Sequence, residues 1–171
     1  MMSTDDVLRR SVTVTPGPED AFRLFTAGLG EWWPLATHSV GREASRGVLL
    51  EPRVGGRLVE TLPDGGAAVW GTVTAWDPPR RVAFTWHPGT PEAQATRVEV
   101  TFRPDGTGTL VELAHSGWAR RADGDRARVS YGSGWRLVLG RFADRAGTLP
   151  SEGEEKPRPG GRGRGAPRAQ P

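Results

Sequence analysis

The chain has no cysteine, which excludes disulfides, thiolate metal sites and a cysteine nucleophile, and leaves the redox compartment open. It has no apolar run near the roughly 20 residues that cross a bilayer, and its start, MMSTDDVLRR, lacks the hydrophobic stretch of a signal peptide. A cytoplasmic protein with no membrane partner is the expectation. Net charge is also scarce, at +3. Pro150 to Pro171 hold five Lys/Arg against three Glu, so the tail carries +2 of that charge. The remainder is nearly neutral, which argues against a nucleic-acid-binding body. No His cluster with metal spacing, phosphate-cradling glycine loop or nucleophile elbow is legible, so neither a metal nor another cofactor is expected.

What is present starts with size: 171 residues can bury one sizeable core. The 36 % hydrophobic content reaches that of average domains once the 24 glycines are added. The stretch that organises the chain is Tyr131 to Gly147. Trp135, Val138, Leu139, Phe142 and Ala146 fall at helical spacing and form one apolar stripe, with Ser133 available to cap the start and Gly147 and Pro150 to stop it. Such a helix is marginal alone. The β segments upstream are the candidate cover. Near the N-terminus, Leu8 to Thr15 alternates as a strand, with Arg10 as the exception on its apolar side. Pro18, Glu19 and Asp20 open a helix that Gly28 and Gly30 break, and a further turn carries Trp32 and Trp33 to Pro34. Residues 36–47 are polar and read as a mobile loop.

Between Val48 and His115 lie six strand segments, punctuated by PDGGAA, DPPR and PDGTG turns. A loop at Asp64–Ala67 would pair Glu60 with Gly71 and Leu58 with Val73. One at Asp77–Arg80 would pair Ala75 with Val82 and Val73 with Phe84. One at Asp105–Gly108 would pair Phe102 with Val111, Val100 with Leu113 and Val98 with His115. Opposed residues share a face, so all three hairpins direct their Leu, Val, Phe84 and Trp86 side chains to one side. Trp70, Trp76 and His87 fall on the other, solvated side, where the two tryptophans are misfits.

The order of elements resembles the helix-grip arrangement of the START-like, birch-allergen-like (SRPBCC) superfamily: an α+β fold of strand, two short helices, six strands and a long C-terminal helix. The motifs TPGPEDAFRLFTAGLGEWWP, LEPRVGGRLVE, WGTVTAWDPPRRVAFTW and TRVEVTFRPDGTGTLVELAHSGW are closer still. They resemble bacterial members related to the C-terminal domain of activators of a heat-shock-protein chaperone ATPase. The resemblance covers Val7 to Gly147. It gives the division 1–6, a flexible start; 7–149, the folded domain; and 150–171, a disordered Pro/Gly/Arg-rich tail.

The resemblance implies a cavity between sheet and helix that takes a small apolar or aromatic molecule. Its candidate lining is Trp33, Gly71, Phe84, Trp86, Trp118 and Trp135, with Glu60 and His115 as the polar groups on the apolar face. Gly71 would leave room above Glu60, whose alternative is a solvent-reaching or arginine-paired carboxylate. His115 is otherwise a hydrogen-bonded core histidine. His38, on the loop at the mouth, reads as solvent-exposed. Glu60 with His115 is the one acid–base pair for a polyketide cyclase-like reaction, and no residue is assigned as catalytic. The resemblance also admits a chaperone as partner, although the eukaryotic co-chaperones carry an additional N-terminal domain. The RGRG of the tail echoes nucleic-acid-contacting segments, and a plain solvated tail is preferred.

Overall fold

The computed structural model describes residues 6–148. Asp6 apart, the segments 1–6 and 150–171 assigned above as flexible and disordered lie outside them. Seven strands form one antiparallel sheet: β1 (Leu8–Val14), β2 (Gly47–Leu50), β3 (Arg57–Thr61), β4 (Ala67–Asp77), β5 (Arg81–Trp86), β6 (Thr96–Asp105) and β7 (Gly108–Ser116). They lie in the order β1-β7-β6-β5-β4-β3-β2. Three helices complete the chain, α1 (Pro18–Thr26), α2 (Leu29–Trp32) and α3 (Gly124–Ala146). The sheet curves around α3, which is the helix-grip arrangement.

The β6–β7 hairpin has the expected register, with Phe102 opposite Val111, Val100 opposite Leu113 and Val98 opposite His115. Its turn places Gly106 at φ +59°, a conformation that only glycine adopts cheaply. Two other hairpins differ from expectation, one through a shorter loop and a bulge, the other through a bulge alone. In β3–β4 the loop is shorter: Leu62 N–H donates to the Gly66 carbonyl at 2.8 Å, and Gly65 turns at φ +82°. A bulge follows, since Leu58 faces Gly71 while Val59 faces Val69, leaving Trp70 over. Glu60 therefore pairs with Ala68, not Gly71. In β4–β5, Val73 meets Phe84 as expected, but a second bulge sets Ala75 against Ala83 and Trp76 against Val82.

A bulge shifts a strand's alternation by one residue. That is how Trp70 and Trp76, assigned above to the solvated side, reach the core. Trp70 is fully buried, and Trp76 packs edge-on against Phe22 at 5.1 Å. His87 is also buried rather than outward and solvated; its N–H donates to the Trp70 carbonyl.

The stripe on α3 is buried as expected, with Phe142 5.3 Å from Phe25 and 5.1 Å from Trp32. The helix starts at Gly124, two turns before Tyr131, with Asp123 at the cap position. Ser133 is not its cap; its hydroxyl bonds to the Ser130 carbonyl inside the helix. The first turns lacked a signal because DGDRARVS buries only Ala127. Arg10 is explained by the same helix: its Nε donates to the Gly132 carbonyl at 3.1 Å, so an inward arginine ties β1 to α3.

Two glycines separate steric need from permissiveness. A Cβ on Gly71 would overlap the Thr85 carbonyl of β5, whereas one on Gly140 of α3 would meet nothing within 4 Å. Gly71→Ala is expected to cost at least about 3 kcal/mol through backbone displacement, and Gly140→Ala to gain about 1 kcal/mol in helix propensity. Urea denaturation of both variants checks this. A Gly71→Ala midpoint equal to wild type would contradict the close approach of β4 and β5.

Candidate functional site

Six of the seven tryptophans place their indole N–H on a named acceptor, and two of these bonds build the walls of a site. The first rests on Glu60, which is fully buried on β3. Its Oε1 accepts from Val40 N–H at 2.8 Å and from Trp70 Nε1 at 3.0 Å, and its Oε2 accepts from Gly41 N–H at 2.8 Å. Burial raises the pKa of Glu60, but the Gly41 and Val40 N–H groups and the Trp70 indole outweigh it, so the net shift is downward. The carboxylate neither reaches solvent nor pairs with an arginine. It pins the loop of residues 37–42, which was expected to be mobile, across the open end of the sheet. The Trp33 indole adds a second tie by donating to the His38 carbonyl at 2.8 Å.

The second wall rests on His115, which is fully buried on β7. Trp135 Nε1 donates to its Nδ1 at 2.9 Å. An indole only donates, so Nδ1 is the unprotonated nitrogen and the proton sits on Nε2. Nε2–H then donates to Thr96 Oγ1 at 2.6 Å, and the Thr96 hydroxyl donates to the Trp86 carbonyl at 3.2 Å. Trp118 packs at a tilt against the imidazole, 4.0 Å between ring centres. Burial, and secondarily the Arg121 charge, push the His115 pKa down to about 3. His115 is a neutral core histidine that fixes the Trp135 ring.

Between these walls lies a cavity of about 360 Å³, bounded by Trp33, the 37–42 loop, Pro88, Gly89 and the Tyr131–Val138 face of α3. That volume falls in the range of small-molecule sites, roughly 300–1,000 Å³. Its floor is aromatic. Trp86 lies 5.7 Å from Trp33 and 5.3 Å from Trp135, and Tyr131 stacks on Trp135 at 6.2 Å. Trp86 Nε1 donates to the Tyr131 hydroxyl at 3.1 Å, which leaves the phenol proton to donate elsewhere.

Of the residues singled out from sequence, Trp33, Trp86 and Trp135 line this cavity. Glu60 and His115 stand behind the walls with their polar atoms consumed, so they form no acid–base pair facing a ligand. Phe84 packs behind Trp86 at 5.7 Å, Trp118 lies behind His115, and Gly71 serves strand packing. Sequence reasoning missed Tyr131, Arg42 and Gly134 and set His38 aside. Tyr131 was within reach, because it precedes Trp135 by four residues and extends the apolar stripe once the helix is started earlier. Arg42 and His38 sit on a loop whose path depends on Glu60, and no local pattern reveals that.

Residues 17–147 match the family described as Activator of Hsp90 ATPase homolog 1-like protein. The chain belongs to that family. Its solved relatives include an anthrahydroquino-gamma-pyrone synthase, Txn09, complexed with a compound designated SUM. Identity to it is 35 %, over 81 % of this chain and 95 % of that one, with a TM-score of 0.57. The Aha1 dimer from Colwellia psychrerythraea (19 % identity, 83 % and 96 % covered, TM-score 0.62) shares the fold. So does protein MLL2253 from Mesorhizobium loti (22 % identity, 81 % and 94 % covered, TM-score 0.60). No curated protein matches the chain. Among the described residues no helix is long and apolar enough to cross a membrane.

The neutral His115 has a consequence for stability. Its pKa falls from the ordinary 6.5 to about 3 on folding, so between those values the unfolded chain binds the proton and the folded chain does not. Stability should be full above pH 6.5 and decline on acidification, approaching about 1.4 kcal/mol per pH unit. The lowered His38 acts in the same direction, and Glu60 adds to the loss only below its ordinary 4.5. Denaturant midpoints from pH 7 to about pH 5 check the slope, and His115→Gln should flatten it. A wild-type profile flat over that range would contradict the neutral, buried imidazole.

Proposed function

We propose that the chain binds a flat aromatic small molecule in the cavity between α3 and the 37–42 loop. The observation that carries this reading is the floor of four rings, Trp33, Trp86, Tyr131 and Trp135, lining an opening of about 360 Å³. Stacking on fixed rings favours a planar ligand, because aromatic pairs gain beyond the area they bury. The rings cannot readily collapse to fill the space, since each polar tip is tied to a neighbour: Trp33 to the His38 carbonyl, Trp86 to Tyr131, and Trp135 to His115. A preformed cavity of this kind spares the ligand the cost of ordering its own site. The relative at 35 % identity, named an anthrahydroquino-gamma-pyrone synthase, supports the same ligand class.

Binding does not require turnover. A cyclase-like reaction here would draw on the groups that line the cavity, the Tyr131 hydroxyl and His38, and not on Glu60 with His115. The chaperone-interaction reading rests on the family's description and on likeness of fold, and neither points to a particular surface of this chain.

Gly134 supplies the test. It lies on the α3 face that borders the cavity, and the nearest atom to a Cβ built there is His38 Nε2 at 3.9 Å. Gly134→Leu therefore adds bulk inside the cavity while improving helix propensity. Tryptophan quenching by anthraquinone carboxamide, a flat uncharged probe, should saturate with wild type and weaken at least about tenfold in Gly134→Leu, whose thermal midpoint should not fall. Quenching that does not saturate, or that the substitution leaves unchanged, would contradict the cavity as the binding site.

A further inference from the structure

The cavity's charge is one-sided. Its border holds Arg42 and, among the described residues, no Asp or Glu. Arg42 is exposed, and no carboxylate of the described residues forms an ion pair with it. The other arginine near the aromatic floor is already neutralised. Arg121, 6.0 Å from the centre of the Tyr131 ring, is held by Asp123 at 2.8 and 3.1 Å. Glu60 lies beneath the same loop, but its oxygens are occupied by the Val40 and Gly41 N–H groups and the Trp70 indole.

The backbone at Arg42 points the same way. Its φ is +49°, and among the described residues it is the one non-glycine with positive φ. For a long side chain that conformation costs about 1–2 kcal/mol, and glycine or asparagine would hold it more cheaply. The two residues before it are fixed by the Glu60 carboxylate, so the strained residue is held in place by a buried anchor. Strain maintained in this way clusters at ligand sites. Here it sets a cation without an ion-pair partner among the described residues at the rim of an aromatic cavity.

We propose that Arg42 selects aromatic acids: the ligand presents a carboxylate or comparable anionic oxygen to Arg42 while its ring system stacks on the tryptophan floor. A guanidinium suits this role because its planar fork can receive a carboxylate through two parallel hydrogen bonds. His38, also at the rim, has its pKa lowered by burial and by the Arg42 charge; it is neutral at pH 7 and contributes hydrogen bonding in place of a second charge. The assignment deepens the aromatic-cavity reading and rests on it.

The test compares anthraquinone carboxylate with anthraquinone carboxamide, the same ring system with and without the charge. Wild type should bind the carboxylate about tenfold more tightly, the size of one charge-assisted hydrogen-bonded contact at a partly solvated rim. The preference should shrink at high salt, because the rim is open to screening. Arg42→Gln should bring the ratio of the two affinities to about one, the carboxylate losing more than the carboxamide, and Arg42→Lys should restore part of the preference. Circular dichroism and the thermal midpoint confirm that the variants fold. Equal affinities in wild type, or a preference that survives Arg42→Gln, would overturn charge selection; if Gly134→Leu still blocks both probes, the cavity reading stands without it. Failure of wild type to bind either probe would overturn both.

Discussion

Burying tryptophan inside a curved sheet creates an obligation, and meeting it organises this molecule. Each indole gains free energy from its buried area and loses it again if its N–H finds no acceptor. The acceptors available on an apolar face are few. The chain supplies a carboxylate (Glu60), an imidazole nitrogen (His115), a phenol oxygen (Tyr131) and the carbonyls of Leu24, His38 and His115. Glu60 and His115, which look out of place on the inner face, are therefore the partners of tryptophans. Because each bond also fixes the orientation of a ring, the aromatic floor is rigid, and the space above it is not taken up by rotation of the rings.

Glu60 shows how such a bond reaches from packing to function. An isolated buried carboxylate would be neutralised or expelled. Here three N–H donors converge on it, two of them from successive residues of a loop, and they keep it charged in spite of its burial. One group thereby satisfies Trp70 and closes the end of the sheet with the segment that carries His38 and Arg42. His115 plays the matching part opposite, holding Trp135 through Nδ1 and tying Thr96, and through it Trp86, to the same frame. The two groups that seemed poised for acid–base chemistry in the sequence are the two that keep the cavity's walls in place.

The fold was largely legible, because long-range order follows from alternation and from turn residues with fixed conformational demands. The β6–β7 register and the α3 stripe emerged from sequence without error, since neither contains an inserted residue. Prediction failed where the β3–β4 loop is shorter than its turn residues suggest and where one residue breaks the period. The bulges at Trp70 and between Val73 and Ala75 leave no local signature, and beyond each one every side-chain direction inverts. Two tryptophans on the nominal outer face were the visible symptom, since a large apolar ring on a solvated strand face signals a shifted register. The site was half legible. Aromatic residues on or next to regular elements (Trp33, Trp86, Trp135) were found, whereas Arg42 was not and His38, placed at the mouth, was read as solvent-exposed, because a loop's detailed path is decided by long-range partners and not by its own sequence.

The central claim is that a flat ligand reaches Trp33, Trp86 and Trp135 at the cavity floor, although they are only 8 %, 2 % and 2 % exposed. Their indole N–H protons give separate resonances in a proton–nitrogen correlation spectrum, which makes the claim directly measurable by titration with a flat aromatic probe. The account predicts that these three resonances move, while those of Trp32 and Trp118, which lie outside the cavity, stay in place. Shifts confined to Trp32, Trp76 or Trp118, or no shifts at probe concentrations that quench the fluorescence, would contradict it.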